Sequence, residues 1–282
     1  EKGHNMAVDP IDLPLLIEAE ALEPLLKHPQ LLIVDLSKQQ LYFRCHVPGA
    51  IYLSYAELMG GGAPAPGLLP SEERLTALFS SIGLTPDTHV VAYDDEGGGW
   101  AGRLLWTLEV IGHKHYSYLN GGIHAWVKRK MEIQSEEMRP TPSEYQVTLD
   151  LTASVDKQYL MDNFDRDDLV VWDARSLQEH TGEKVLTPRA GHIPGAAHYE
   201  WTTAMDQMDA LRIRDLEVVR EELAQRGITA DKEIITHCQT HHRSGFTYLL
   251  GRILGFENIK AYPGSWSEWG HDPNTPIELS DI

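Results

Sequence analysis

Nine consecutive residues near the carboxy-terminal end, His237-Cys238-Gln239-Thr240-His241-His242-Arg243-Ser244-Gly245, gather one thiol, three imidazoles and a guanidinium. The apolar run Glu233 to Thr236 precedes them, and a helical stretch from Ser244 to Leu254, closed by Gly255, follows. Cys238 is therefore expected at a strand-loop-helix turn. Backbone N–H groups converge in such a loop, and the helix amino end adds positive potential, so an anion is cradled there. A thiol at its edge should have a lowered pKa and be nucleophilic at neutral pH. His237, His241, His242 and Arg243 push the same way if their charges or N–H groups face the sulfur. The plain alternative is a small buried hydrophobe, but packing alone does not call for such neighbours.

The elements that must position this loop occur twice, and the repeat governs the reading of every other motif. Leu31-Leu32-Ile33-Val34-Asp35 matches Leu169-Val170-Val171-Trp172-Asp173, and His46-Val47-Pro48-Gly49-Ala50 matches His192-Ile193-Pro194-Gly195-Ala196. The runs His89 to Tyr93 and Glu233 to His237 each lead through a loop into a helical stretch, Ala101 to Ile111 and Ser244 to Leu254. Each copy closes with a Gly and a Trp, Gly121 to Trp126 and Gly264 to Trp269. Buried strands alternating with helices predict an α/β fold of two tandem domains, each a mainly parallel sheet flanked by helices. Sites in such sheets form at the carboxyl ends of strands. The expected division is an inactive domain over residues 7–133, a linker over 134–150 and a catalytic domain over 151–282. Gly60 to Pro70 reads as an internal loop. Counting back from Gly112 and Gly255 puts Asp95 at the position of Cys238, so the first copy lacks the nucleophile.

The remaining composition narrows the function. With 42% hydrophobic residues among 282, the chain is long enough for two cores. A net charge of -18 opposes binding to nucleic acid or anionic membranes. Two cysteines, Cys45 and Cys238, are too few for a disulfide framework and suit a reducing compartment. Glu1 to Met6 lacks the features of a signal peptide, and no apolar run spans a membrane. A cytoplasmic monomer is expected.

On the duplicated pattern and the loop Cys238-Gln-Thr-His-His-Arg243, the chain resembles the tandem-domain rhodaneses, and the loop is similar to that of the bacterial thiosulfate sulfurtransferases. The resemblance covers nearly everything from Pro10 onward. It implies that Cys238 takes sulfane sulfur from thiosulfate, holds it as a persulfide and passes it to a thiophilic acceptor such as cyanide or a thiol. Neither the Arg and Lys of mammalian-type loops nor the Gly-Ser-Gly-Val type of mercaptopyruvate enzymes is present. A small anionic donor, a possible sulfur-accepting protein, and no cofactor or metal are implied. The donor is expected to meet Arg243 first, then Gln239, Thr240, His241, His242 and Ser244, with Arg175 and Arg189 behind.

Other readings of the same residues are weaker. A cysteine phosphatase would place five residues between Cys and Arg, where Cys238 and Arg243 enclose four. A persulfide carrier would use the same cysteine without turnover. Zinc on His237, Cys238, His241 and His242 lacks a second ligand pair on another element. Gly97-Gly98-Gly99-Trp100-Ala101-Gly102 formally fits a dinucleotide fingerprint, but Asp94, Asp95 and Glu96 would repel a pyrophosphate. Asp35, Asp173 and the two His-x-Pro-Gly-Ala turns read as structural, because both copies have them. Trp201, Trp266 and Trp269 read as core or interface aromatics, Cys45 as an ordinary thiol, and a Cys45–Cys238 disulfide as an alternative.

Overall fold

The structure, a computed structural model, describes residue 9 and residues 11–279. The expectations about Glu1 to Met6 and about a domain start at residue 7 lie outside the described residues. The β-branched runs form strands as their patterning predicts. In the first copy these are β1 (Leu16–Ile17), β2 (Leu31–Asp35), β3 (Ile51–Tyr52), β4 (His89–Tyr93) and β5 (Tyr116–Leu119). In the second they are β6 (Leu169–Asp173), β7 (Ala197–His198), β8 (Met205–Asp206), β9 (Arg212–Ile213), β10 (Glu233–His237) and β11 (Ile259–Ala261).

The first sheet has the order β1-β5-β4-β2-β3 and the second β11-β10-β6-β7, and every neighbouring pair in both is parallel. The orders coincide once β11, β10, β6 and β7 replace β5, β4, β2 and β3. Even β1 has a counterpart, an isolated parallel bridge from Ser154 to Ala261. The short β8–β9 ribbon is antiparallel. Parallel strands need helical crossovers that cover both faces, which is why β4 and β10 are buried along their whole length.

The repeated turns have the same job in both copies. Gly49 N donates to Gln134 Oε1 at 2.9 Å, and Gly195 N donates to Glu278 Oε2 at 2.8 Å. Both glycines adopt left-handed φ, +86° and +77°, where a side chain would be strained. His46 and His192 extend these contacts through antiparallel bridges to Gln134 and Glu278. The duplication of these bonds gives the turns a structural role.

The two sheets are joined through the helices that follow β4 and β10, Gly99–Val110 and Arg243–Ile253. Leu104, Trp106 and Leu108 of the first share one continuous core with Phe246, Leu249 and Leu250 of the second. The helices meet at glycines: a Cβ on Gly102 would lie 2.3 Å from Gly245 O, and one on Gly245 would lie 2.5 Å from Arg103 N. Both neighbours are backbone and cannot swing aside. Gly102→Val should therefore cost about 3 kcal/mol by forcing the helices apart. Denaturant unfolding checks this, and an unchanged midpoint would mean that the crossing has room.

The connection is strapped to the first copy rather than free. Ser143 N and Tyr145 N bond to Ser80, Val147 N to Thr76 Oγ1 and Leu149 N to Glu72 Oε1, all on the helix Glu72–Ser81. Among the described residues no helix is long and apolar enough to cross a membrane.

Candidate active site

Cys238 is the first residue beyond β10, and the loop from it to His242 folds back over the start of the helix Arg243–Ile253. His241 takes a left-handed φ of +57°, which tightens the loop. Three bonds clamp it from the segment after β11: Cys238 N donates to Ser265 Oγ (3.3 Å), Trp266 N to Cys238 O (2.9 Å) and Ser267 N to Gln239 O (3.0 Å). The sulfur is buried, with the residue 1% exposed, and accepts from His242 N at 3.2 Å and Ser244 Oγ at 3.4 Å. Burial pushes the thiol up, but Arg243, the Ser244 hydroxyl and the amides of Ser244 and Thr240 outweigh it, so the net shift is downward. This is the cradle expected from the sequence, and it favours a thiolate.

The histidines differ in what they do. His237 is fully buried, with Nδ1 at 3.0 Å from Cys238 O, and burial lowers its pKa to about 4. His241 is also buried and held well below the usual imidazole range by desolvation. Both are neutral at pH 7, so neither supplies a positive charge to the sulfur. His241 Nδ1 lies 2.6 Å from Ser244 Oγ, and its ring meets Trp106 edge-on. When Ser244 donates to the sulfur, its oxygen is left to accept from His241, which fixes the Nδ1–H tautomer. His242 points the other way, toward the first copy. Its ring stacks on Trp100 at 3.9 Å, Trp100 stacks on Tyr55 at 4.1 Å, and Nε2 is hydrogen-bonded to Glu96.

Arg243 forms a two-pronged pair with Glu179, at 2.7 and 3.0 Å, on the short helix Leu177–Thr181. Glu179 is almost wholly buried and is also the third residue after the Ser176 cap, donating its N–H to Ser176 Oγ at 3.2 Å. Burial lowers and the bonds to Glu179 raise the Arg243 pKa, and the thiolate adds to the rise; the net shift is upward. Arg243 therefore remains a cation beside the sulfur, aimed by Glu179.

Arg175 and Arg189 each hold other partners. Arg175 bonds to both Asp173 oxygens at 2.9 and 2.8 Å and to Gly191 O at 2.7 Å, and lies 4.5 Å over the Trp266 ring. Its Nε and Nη2 donors are taken up by these buried partners, where Asp173 needs a counter-charge. Arg189 bonds to Asp272 O and Thr275 Oγ1, fastening the carboxy-terminal segment. Gln239 has its side-chain oxygen buried beside the loop, and Thr240 contributes its amide. Trp266 and Trp269 are core, whereas the Trp201 ring lies 5.7 Å from that of His242. Cys45 and Cys238 are both free, and burial raises the Cys45 thiol.

In the first copy the residue at the nucleophile position is Asp94, not Asp95. Tyr93 pairs with Asp35 as His237 pairs with Asp173, so Asp94 and Cys238 are the residues that follow. Ile123 N donates to Asp94 O as Trp266 N donates to Cys238 O. The Asp94 carboxylate accepts from Gly98 N (2.9 Å), four residues on, as the sulfur accepts from His242 N, and also from Glu96 N (3.1 Å) and Ala101 N (2.9 Å). Counting back from the closing glycines slipped because the first helix has 12 residues and the second 11. The first cradle is thus filled by its own carboxylate, whose pKa burial and then Glu96 raise to about 7.

No sequence signal shows how closely the first copy approaches the active loop. Gly67 lies so near that a Cβ there would be 2.1 Å from Thr240 O, which makes the Gly60 to Pro70 loop a buttress. Arg103, fully buried, donates to Gly67 O (2.7 Å), Leu58 O (2.7 Å) and, at 3.4 Å, His241 O. Glu179 was signalled by the Ser-x-x-Glu cap, but a capping box explains such a Glu without chemistry.

The chain is similar to known proteins over most of its length. The rhodanese-like domain matches residues 18–129 and again 156–272. A thiosulfate sulfurtransferase of Pseudomonas aeruginosa is 50% identical over 95% of this chain and 98% of its own, and one of Azotobacter vinelandii is 48% identical with the same coverage. A sulfur carrier protein of Thermus thermophilus is 29% identical over 93% of this chain and 96% of its own. Among solved structures, the anaerobic ergothioneine biosynthesis enzyme from Chlorobium limicola aligns with a TM-score of 0.85 over 95% of this chain and 71% of that one. At 21% identity that likeness shows the fold alone.

Proposed function

The chain belongs to the rhodanese-like family, in two tandem copies, and from that premise we propose that it is a thiosulfate sulfurtransferase working through a Cys238 persulfide. The carrying observation is the buried Cys238 sulfur, held by a loop amide and a hydroxyl at a helix start with Arg243 at hand. The similarity to two bacterial thiosulfate sulfurtransferases over nearly their whole length supports the same donor.

In the first half-reaction the Cys238 thiolate attacks the outer sulfur of thiosulfate. A Cys238–sulfur bond forms, the sulfur–sulfur bond of thiosulfate breaks, and sulfite leaves with the bonding pair. In the second, cyanide or a thiolate attacks the outer persulfide sulfur and Cys238 leaves as thiolate. Charge is conserved in both steps, and neither needs a cofactor. The loop donors face the sulfur that carries the charge at the start and end of the cycle, so they need no rearrangement during it. Arg243 stabilises the negative charge that builds up on departing sulfite. Gln239, Thr240 and His242 line the donor's approach, while the neutral His241 acts through Ser244. Arg175 and Arg189, committed to other partners, stay out of the donor site.

The assignment of residues 7–133 to an inactive unit, 134–150 to a connection and 151–282 to a catalytic unit belongs to this reading, as do a cytoplasmic monomer and a protein acceptor. The likeness to a sulfur carrier protein favours delivery of the persulfide sulfur to another protein as a second use of the same intermediate. Intact mass after incubation with thiosulfate tests the proposal. A gain of about 32 Da that cyanide then removes is expected. A protein that gains nothing from thiosulfate overturns the choice of donor.

A further inference from the structure

The first copy has no nucleophile, yet Glu96 and Trp100 lie on the ring of His242, and Arg103 reaches the carbonyl of His241. His242 is pivotal because its backbone N–H is bonded to the Cys238 sulfur at 3.2 Å. The amide can stay aimed only if the residue is held, and the ring's hydrogen bond and stacking face both go to the first copy.

We infer that Glu96 is a positioning residue of the sulfur-transfer site: its carboxylate accepts from His242 Nε2 and fixes the ring against Trp100, keeping the His242 amide on the Cys238 sulfur. Two further features agree. A Cβ on Gly99 would lie 2.7 Å from both Glu96 Oε1 and His242 Nε2, so the chain is bare where the two meet. The buried Asp94 carboxylate accepts from Glu96 N at 3.1 Å, so the filled first cradle shapes the loop that presents Glu96.

The plain alternative is that Glu96 and His242 merely help dock the copies. Their side chains are 32% and 23% exposed, and a pair so open to water adds little to stability. The continuous core and the glycine crossing already join the copies. The contribution of Glu96 is then geometric, and it is read at the sulfur.

The inference rests on the Cys238 persulfide reading, and its test separates the two. Glu96→Ala, Glu96→Gln, His242→Ala and the double variant Glu96→Ala/His242→Ala are compared in the full chain. Three quantities are measured: the single-turnover rate of persulfide formation from thiosulfate, the ultraviolet titration of the thiolate, and the melting temperature. Glu96→Ala should slow persulfide formation about tenfold, a fraction of what a deleted anion-hole donor costs. It should also move the thiol titration to higher pH while the protein stays folded. Glu96→Gln, still able to accept the bond, should remain within about threefold of the original. In the His242→Ala background, Glu96→Ala should add less than about twofold.

Arg243 and Arg103 act on the thiol electrostatically, and Glu179 and the neutral His237 and His241 lie one contact further out. They are common to Glu96→Ala and Glu96→Gln, so the difference isolates the tether. An unaltered rate and titration in Glu96→Ala, or an equal loss with and without the His242 side chain, overturns the inference. If the original protein takes no sulfur from thiosulfate, the donor reading falls, and the thiol titrations still decide the role of Glu96.

Discussion

Cys238→Ser should lower thiosulfate:cyanide sulfur transfer by about four orders of magnitude or more, because the covalent intermediate cannot form. Serine keeps the volume and can keep the bonds from His242 N and Ser244 Oγ, so the variant should fold with the loop in place. Its hydroxyl is far too weak an acid to supply the anion that the loop stabilises. Steady-state assay and intact mass check the loss together, and a serine variant that still turned over would move the nucleophile elsewhere. The substitution also reports on stability. The folded-state thiol pKa is lowered, so the thiolate's contribution is fully present above the unfolded value of about 8.5 and is lost as pH falls through the folded value. The stability advantage of the original over Cys238→Ser should therefore be largest in mild alkali and shrink toward neutral and acid pH.

Arg243→Ala should cost about a hundredfold in the rate of persulfide formation and about 3 kcal/mol of stability, for two separable reasons. The rate falls because the cation beside the sulfur is gone, which also lets the thiol pKa rise. The stability falls because Glu179, only 4% exposed at its side chain, is left without its counter-charge. Adding Glu179→Gln to Arg243→Ala should restore most of the stability, since a neutral amide is cheaper to bury than an unpaired carboxylate, and should restore none of the rate. Chemical unfolding and single-turnover measurements on the same samples separate the two. If Glu179→Gln rescued the rate as well, Arg243 would be acting only as a partner for Glu179.

Both copies were legible because they announce themselves at the level of periodicity. Leu31 to Asp35 and Leu169 to Asp173 are apolar runs that only a doubly covered parallel strand can bury, and the His-x-Pro-Gly-Ala turns mark the same point after each. The cradle around Cys238 was legible because strand, loop and helix are contiguous in sequence, so local rules place the amides. The rest depends on partners distant in sequence. Arg175 and Arg243 are both arginines near the right elements, but one meets Asp173 in the core and the other meets Glu179 at the site. His237 and His241 are neutral because both are buried, His241 against Trp106 of the first copy, which charge counting does not reveal. The Asp94 for Asp95 correction turns on a single extra residue in a helix, and only strand register exposes it.

The glycine crossing of Gly102 and Gly245 gives the first copy an asymmetric mutational tolerance. With Asp94 where the second copy has Cys238, it can drift at Asp95, whose backbone oxygen accepts from His124. It cannot drift at Gly99 or Gly102, where any side chain would strike the other half. Selection on the first copy should therefore act on the face it presents to the second. Its most constrained positions should be glycines that touch no substrate.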